Sequence, residues 1–95
     1  MNSLQPYETR LTGAWLVTPH GVKGDEACNR IAELLREQLK ELARDASGWD
    51  ALYRDTQDWR LWELIYPHGE MHGGGPPELI CLSDAEARKK YLDWI

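Results

Sequence analysis

The segment Trp59–Tyr66, with the sequence WRLWELIY, constrains the fold most because it carries apolar side chains on both faces of a predicted strand. Trp62, Leu64 and Tyr66 share one face, which we assign to the core. The other face carries Trp59, Leu61 and Ile65, with Glu63 among them. That face is either a partly covered surface for a partner or is capped by Tyr91, Trp94 and Ile95 of a C-terminal helix.

Upstream of this segment, the pattern predicts one strand and one long helix. Leu11–Thr18 is rich in strand-forming residues, and the Pro and Gly residues that follow end it. From Asp25 to Ala46, apolar residues recur at steps of three and four, which is typical of a helix with a single apolar stripe. Gly48 then fits a left-handed helix cap. The stripe consists of Cys28, Ile31, Leu35, Leu39, Leu42 and Ala46.

Downstream, the pattern predicts a hairpin, a loop, a short strand and a short helix. The hairpin strands are Trp49–Arg54 and Trp59–Tyr66, and a loop over His68–Pro77 leads to a strand over Glu78–Leu82. Ser83 and Glu86 form a capping-box pattern for a last helix that runs to about Leu92. The order β-α-β-β-β-α predicts an α+β fold, with a four-stranded, mostly antiparallel sheet packed against one long helix.

Size and composition restrict the class of protein. A chain of 95 residues predicts a single domain over residues 1–95. The formal charge of −5 argues against a general nucleic-acid binder, which would carry a basic surplus. No run approaches the roughly 20 apolar residues of a membrane span, and Met1–Arg10 shows no secretory signal. Cys28 and Cys81 lack zinc-site spacing, and reduced thiols are favoured over a disulfide. We therefore expect a cytoplasmic protein.

The negative charge is concentrated in residues 47–78. This stretch carries only Arg54 and Arg60 as basic residues, so its formal charge is −4. Acidic groups beside Trp and Tyr predict a face for a basic partner, although solubility alone is the other explanation. The acidic residues are Asp50, Asp55, Asp58, Glu63, Glu70 and Glu78.

The sequence gives little support for a catalytic or metal-binding site. His68 and His72 flank Glu70, but Pro67 and several glycines prevent the helix that a metalloprotease motif requires. The triple glycine before Pro76-Pro77 lacks the following helix and Lys-Ser/Thr pair of a phosphate loop. We predict no enzymatic activity, no cofactor and no metal. The alternative is a small metal-dependent or hydrolytic enzyme that uses Glu63, His68 and His72.

Three motifs give the chain its resemblance to a known family. They are Glu8–Trp15, Gly48-Trp49 with Leu52–Asp55, and Trp62–Pro67 with Met71–Pro77. The last motif is the specific one, and together they make the chain similar to the immunity protein 27 family of bacterial polymorphic toxin systems. One departure is Trp59, where a small turn residue is expected after Asp58.

The resemblance implies a small cytoplasmic antitoxin that binds a cognate toxin domain, blocks its active site or substrate entry, and performs no chemistry. Effector toxins are often basic nucleases, so an acidic face could mimic nucleic acid. A subunit of a larger complex is a third interpretation. We predict that the partner-binding residues are Tyr53, Asp55, Asp58, Trp59, Glu63, His68, Glu70 and His72.

Overall fold

A computed structural model describes residues 3–67 and 75–91 of the chain. Within these ranges it has an α+β fold with a mostly antiparallel sheet and two helices, as predicted. The elements are β1 (Arg10–Thr12), β2 (Trp15–Thr18), β3 (Gly21–Gly24), α1 (Glu26–Glu37), β4 (Leu39–Arg44), β5 (Ala51–Asp55), β6 (Leu61–Ile65), β7 (Glu78–Leu82) and α2 (Asp84–Lys90).

The main sheet has five described strands in the order β1-β7-β6-β5-β4, and every neighbouring pair is antiparallel. The prediction of four strands is therefore wrong. The predicted strand Leu11–Thr18 divides into β1, at the edge of the main sheet, and β2, which pairs with β3 in a separate hairpin. The break lies at Gly13, where the backbone N–H donates to the Pro77 carbonyl at 2.9 Å.

The predicted long helix Asp25–Ala46 is wrong beyond Glu37. Asp25 caps α1 by accepting a hydrogen bond from the Cys28 backbone N–H at 2.9 Å. At the other end, the Gln38 side chain donates to both carboxylate oxygens of Asp55, at 3.0 and 3.1 Å. These tertiary contacts end the helix, and the chain continues as β4 along the edge of β5.

Leu39 and Leu42 show why the apolar spacing wrongly predicted a helix as far as Ala46. They are three residues apart, which suits one face of a helix, but in β4 they contribute to opposite sides of the sheet. The strand is irregular between Glu41 and Ala43, where the register shifts. Gly48 consequently caps no helix. It lies in the turn between β4 and β5, with φ of +80°.

Each face of the sheet packs against a helix. On one side Trp62 and Leu64 are buried with Ile31 and Leu34 of α1, and Tyr66 packs beside them, which confirms the predicted core face. On the other side Leu61 is buried with Tyr91, next to the end of α2. Of the two alternatives for this face, the structure supports capping by Tyr91 over an open surface for a partner, because Leu61 and Glu63 are buried there. Trp94 and Ile95 lie outside the described residues.

Two smaller predictions are also confirmed. Ser83 and Glu86 form a complete capping box at the start of α2. Cys28 and Cys81 are both free thiols, and each is half-buried. In the described part of the chain, neither helix has the length and hydropathy needed to cross a membrane.

Candidate interaction surface

The structure separates the eight residues predicted to bind a partner. Tyr53, Asp55 and Glu63 are buried inside the fold. Asp58 and Trp59 are exposed in the turn between β5 and β6. His68, Glu70 and His72 lie outside the described residues.

Glu63 of β6 is only 4% exposed. Its carboxylate accepts a hydrogen bond from the Tyr91 hydroxyl at 2.7 Å and pairs with the Lys90 ammonium at 2.6 Å. Burial and the bond to Glu63 raise the pKa of the Tyr91 hydroxyl far above its usual value. Burial opposes the charged form of Lys90, but its bonds to Asp50 and Glu63 prevail and raise its pKa. Glu63 is thus a structural carboxylate that fixes the end of α2 to the sheet.

Glu63 was also the anchor of the alternative metal site with His68 and His72. Its carboxylate is already engaged by Tyr91 and Lys90. Among residues 3–67 and 75–91, no three His, Cys, Asp or Glu side chains are placed to hold a metal ion. The two histidines lie outside these ranges, so the described geometry offers that alternative no support.

Asp55 is fully buried and organises the turn that follows β5. Besides the two bonds from Gln38, its carboxylate accepts from the Gln57 backbone N–H at 2.8 Å. Its backbone carbonyl accepts from the Trp59 N–H at 2.9 Å, and its own N–H donates to the Arg60 carbonyl at 2.8 Å. Asp55 therefore shapes the turn from inside and presents no charge to solvent.

Tyr53 lies on the α1 side of β5 and is buried. Its hydroxyl donates to the Glu41 carboxylate at 3.4 Å, and burial raises the pKa of the hydroxyl. The side chain contributes to the core, so it is not an exposed aromatic anchor.

Trp59 is 68% exposed at the tip of the β5–β6 hairpin. Its φ of +67° lies in the left-handed region, which costs an L-residue roughly 1–2 kcal/mol. Arg54 holds the residue in place: its guanidinium lies 5.6 Å from the ring centre and donates to the Trp59 carbonyl at 2.8 Å. The small residue expected here would adopt this backbone conformation more easily. Trp59 is therefore a large exposed aromatic residue at a position where its backbone conformation is unfavourable.

Asp58, the neighbour of Trp59, is ionised but not free. The Arg60 backbone N–H donates to one of its carboxylate oxygens at 3.0 Å, and the Arg60 Nε donates to the other at 2.7 Å. Burial opposes ionisation, but these bonds prevail and lower the pKa of Asp58 below its usual value.

The negative charge of residues 47–78 is largely used within the fold. Asp50 pairs with Lys90 at 2.6 Å, and Glu78 pairs with Arg10 at 3.3 Å. With Asp55, Asp58 and Glu63 engaged as described, every acidic residue of this stretch that the structure describes has an internal partner. By contrast, Glu33 and Glu37 of α1 form no ion pair within the described part of the chain.

Sequence reasoning missed several exposed groups. Tyr7 is 81% exposed and Trp49 is 70% exposed, and Val17 and Val22 form an exposed pair on the β2–β3 hairpin. For Tyr7 the signal was the sequence Gln5-Pro6-Tyr7-Glu8, because Pro at the second position favours a β-turn that presents the third residue. The Glu8 N–H indeed donates to the Gln5 carbonyl at 2.9 Å.

The family model for immunity protein 27 matches residues 17–83, a range that begins within β2 and ends just after β7. Neither the curated proteins nor the solved structures contain a match. Since the family model matches most of the chain, the protein belongs to the immunity protein 27 family, which indicates an antitoxin role and is generally non-enzymatic.

Proposed function

We propose that this protein neutralises the toxin domain of a polymorphic toxin system by binding it and blocking its active site or the entry of its substrate. The observation that carries the proposal is Trp59. An exposed tryptophan held in a left-handed conformation is costly for the free protein. Tryptophan is also among the residues that contribute most to protein–protein binding.

The proposed toxin has a basic surface, as a nuclease does. The chain carries a formal charge of −5, with a pI near 5.1. Opposite charges steer two proteins together and raise the rate of association. Nucleases need basic residues to hold phosphate groups, so an acidic inhibitor suits a domain of this class. Glu33 and Glu37 supply carboxylates for that attraction.

The predicted binding residues take different parts in this proposal. Trp59 makes the direct contact, and Asp58 lies at its edge. Asp55 shapes the turn, while Tyr53 and Glu63 support the sheet behind it. The loop residues His68, Glu70 and His72 remain proposed contacts.

Co-expression tests the function. Bacteria that express the toxin gene adjacent to the gene for this protein should survive when this protein is present and die when it is absent. Equal killing in both cultures would refute the antitoxin role.

The contact is tested with two matched variants. Trp59→Ala should weaken binding to the inactivated toxin domain and reduce protection. Trp49→Ala is the control, because Trp49 is equally exposed but precedes β5, whereas Trp59 follows it. Equal affinity of Trp59→Ala and the wild-type protein would show that the toxin binds elsewhere.

A further inference from the structure

Trp59 lies beside basic residues on the α2 side of the main sheet. Arg54 contacts Trp59 directly, and the register of β4 with β5 places Lys40 directly opposite Arg54. We propose that Lys40, Arg54 and Trp59 together bind an acidic group of the toxin domain. The contact at Trp59 then has the opposite sign of charge to the basic surface proposed for the rest of the toxin. This inference rests on the proposed function.

The three residues share one side of the sheet. Arg54 follows Tyr53, which is buried on the α1 side, and faces the same side as Leu52, which is buried with the residues of α2. Directly opposite residues of antiparallel strands point to the same side, so Lys40 lies on this side as well. The Arg54 guanidinium is 5.6 Å from the ring centre of Trp59. Arg54 therefore adjoins both Lys40 and the Trp59 ring.

The carboxylate of the β5–β6 turn is bound to an arginine on the other side of the sheet. The Arg60 Nε donates to Asp58 at 2.7 Å, and the same guanidinium lies 5.0 Å from the ring centre of Trp62, which is buried on the α1 side. Arg60 thus neutralises Asp58 on the α1 side, whereas Arg54 adds positive charge beside Trp59 on the α2 side.

The pairing of Lys40 with Arg54 is unfavourable for the free protein. Like charges at directly opposite positions of two strands repel each other. Lys40 is exposed and takes part in none of the ion pairs formed among residues 3–67 and 75–91. Its neighbour Glu41 pairs with Arg44 at 2.8 Å. An acidic group of a partner would relieve the repulsion between the two cations.

A second unfavourable feature lies at the same place. Trp59 has a φ of +67°, and Arg54 holds this residue through its carbonyl at 2.8 Å as well as through its ring. Unfavourable local features tend to occur at functional sites. The ammonium of Lys40 and the indole N–H of Trp59 are both hydrogen-bond donors. A carboxylate of the toxin can accept from both, so Asp or Glu is the residue type that fits.

The β5–β6 turn connects this site to the acidic side of the protein. Thr56 and Gln57 of the turn line a groove together with Glu33 and Glu37 of α1. The turn that carries Trp59 therefore lies between a negative surface on the α1 side and a positive one on the α2 side. Opposite charges arranged in this way fix the orientation in which two proteins bind.

Binding to the inactivated toxin domain tests the site. Lys40→Glu should raise Kd by about tenfold or more, because it places a carboxylate against the acidic group of the toxin. This effect should shrink at high salt. Lys23→Glu is the matched control, because Lys23 is also an exposed lysine in a strand but belongs to β3. It changes the net charge equally and should not raise Kd.

The same variant separates binding from stability. Lys40→Glu places a carboxylate opposite Arg54, and opposite charges at facing positions attract. The urea midpoint of the free protein should therefore rise while toxin binding weakens. A lower midpoint would show that Lys40 stabilises the fold, and it would refute the argument from repulsion.

Exchange of charges tests the nature of the partner group. Each exposed Asp or Glu of the inactivated toxin domain is replaced in turn by Lys. One of these toxin variants should bind the wild-type protein more weakly and restore the binding of Lys40→Glu. If none of them restores it, the acidic contact is refuted.

The possible failures can be told apart. If the wild-type protein binds the toxin and Trp59→Ala weakens binding but Lys40→Glu does not, the acidic contact is refuted while the proposed function stands. If the wild-type protein neither binds nor protects, the proposed function fails and this inference fails with it.

Discussion

The Tyr91 hydroxyl donates a hydrogen bond of 2.7 Å to the Glu63 carboxylate, and this bond joins the end of α2 to the middle of β6. Both residues are buried. A buried carboxylate needs hydrogen-bond donors because it has lost water. The position of α2 on the sheet thus depends on a polar contact inside an apolar cluster.

Removal of the hydroxyl should destabilise the protein. Tyr91→Phe keeps the ring but, among the described residues, leaves the Glu63 carboxylate with Lys90 as its one remaining donor. We expect the free energy of unfolding to fall by about 1–3 kcal/mol, which is the cost of a lost bond to a buried charged group. Urea denaturation measures this change.

Tyr7→Phe is the control for this prediction. It removes the same atom from an exposed side chain, so it should leave the free energy of unfolding within about 0.5 kcal/mol. Equal midpoints for Tyr91→Phe and the wild-type protein would show that the buried bond contributes nothing.

The pair between Glu8 and Arg30 predicts a pH dependence of stability. The hydrogen bonds from Arg30 lower the pKa of the Glu8 carboxyl below its usual value of 4.5. A carboxyl group with a lowered folded-state pKa stabilises the fold above its unfolded-state pKa. The stabilisation is lost as the pH falls through the folded-state pKa.

The test compares unfolding of the wild-type protein and Glu8→Gln as a function of pH. At pH 7 the wild-type protein should be more stable, and the difference should shrink as the pH falls below 4.5. Glu37→Gln alters an exposed carboxyl that pairs with no basic group in residues 3–67 and 75–91, so it should show a much weaker trend. A constant difference between wild type and Glu8→Gln across the range would contradict the prediction.

Local signals in the sequence were sufficient for some elements. Ser83 and Glu86 are three residues apart and cap each other, so the start of α2 was predictable from that spacing. The alternation in β6 correctly assigned Trp62 and Leu64 to the core. The end of α1 was not predictable, because it depends on the bond between Gln38 and Asp55, 17 residues further along.

The binding surface was predicted less well because the prediction used the local charge of one stretch of sequence. It took no account of ion pairs with residues that are distant in sequence. Glu63 and Asp50 both pair with Lys90, which is distant in sequence. Lys90 belongs to residues 79–95, where acidic and basic residues balance. Local counting therefore placed free negative charge on the hairpin, where it is neutralised. Trp59 was identified because its residue type conflicts with its position in a turn, and that conflict is local.

Gly13 should tolerate replacement less well than Gly48 does. A Cβ atom at this position would lie 2.6 Å from the Cys28 sulfur and 2.7 Å from the Pro77 carbonyl oxygen. The second contact is with backbone, which cannot move aside without disturbing the link between β1 and β7. Gly13→Ala should lower the free energy of unfolding by about 1–3 kcal/mol.

Gly48→Ala provides the comparison for Gly13→Ala. Gly48 has a φ of +80°, but no heavy atom lies within 4 Å of the point that a Cβ atom would occupy. The cost there is conformational alone, about 1 kcal/mol. Thermal or urea denaturation should rank Gly13→Ala as the less stable variant, and the opposite order would refute the close contact at Gly13.

Replacement of Trp59 by glycine should separate stability from binding. Glycine relieves a left-handed strain of about 1–2 kcal/mol, and this gain offsets the lost contact with Arg54 and the greater freedom of the unfolded chain. We expect the free energy of unfolding to stay within about 1 kcal/mol of the wild-type value. Toxin binding should weaken as it does for Trp59→Ala.

Trp62→Ala is the contrasting variant, because Trp62 is fully buried on the α1 face of the same strand pair. Its loss should lower the free energy of unfolding by about 3–5 kcal/mol. If Trp59 served to pack the fold, Trp59→Gly would lower the free energy of unfolding in the same way. A large loss of stability in Trp59→Gly would therefore show that the hairpin tip serves the fold, and the case for Trp59 as a binding residue would lose its main support.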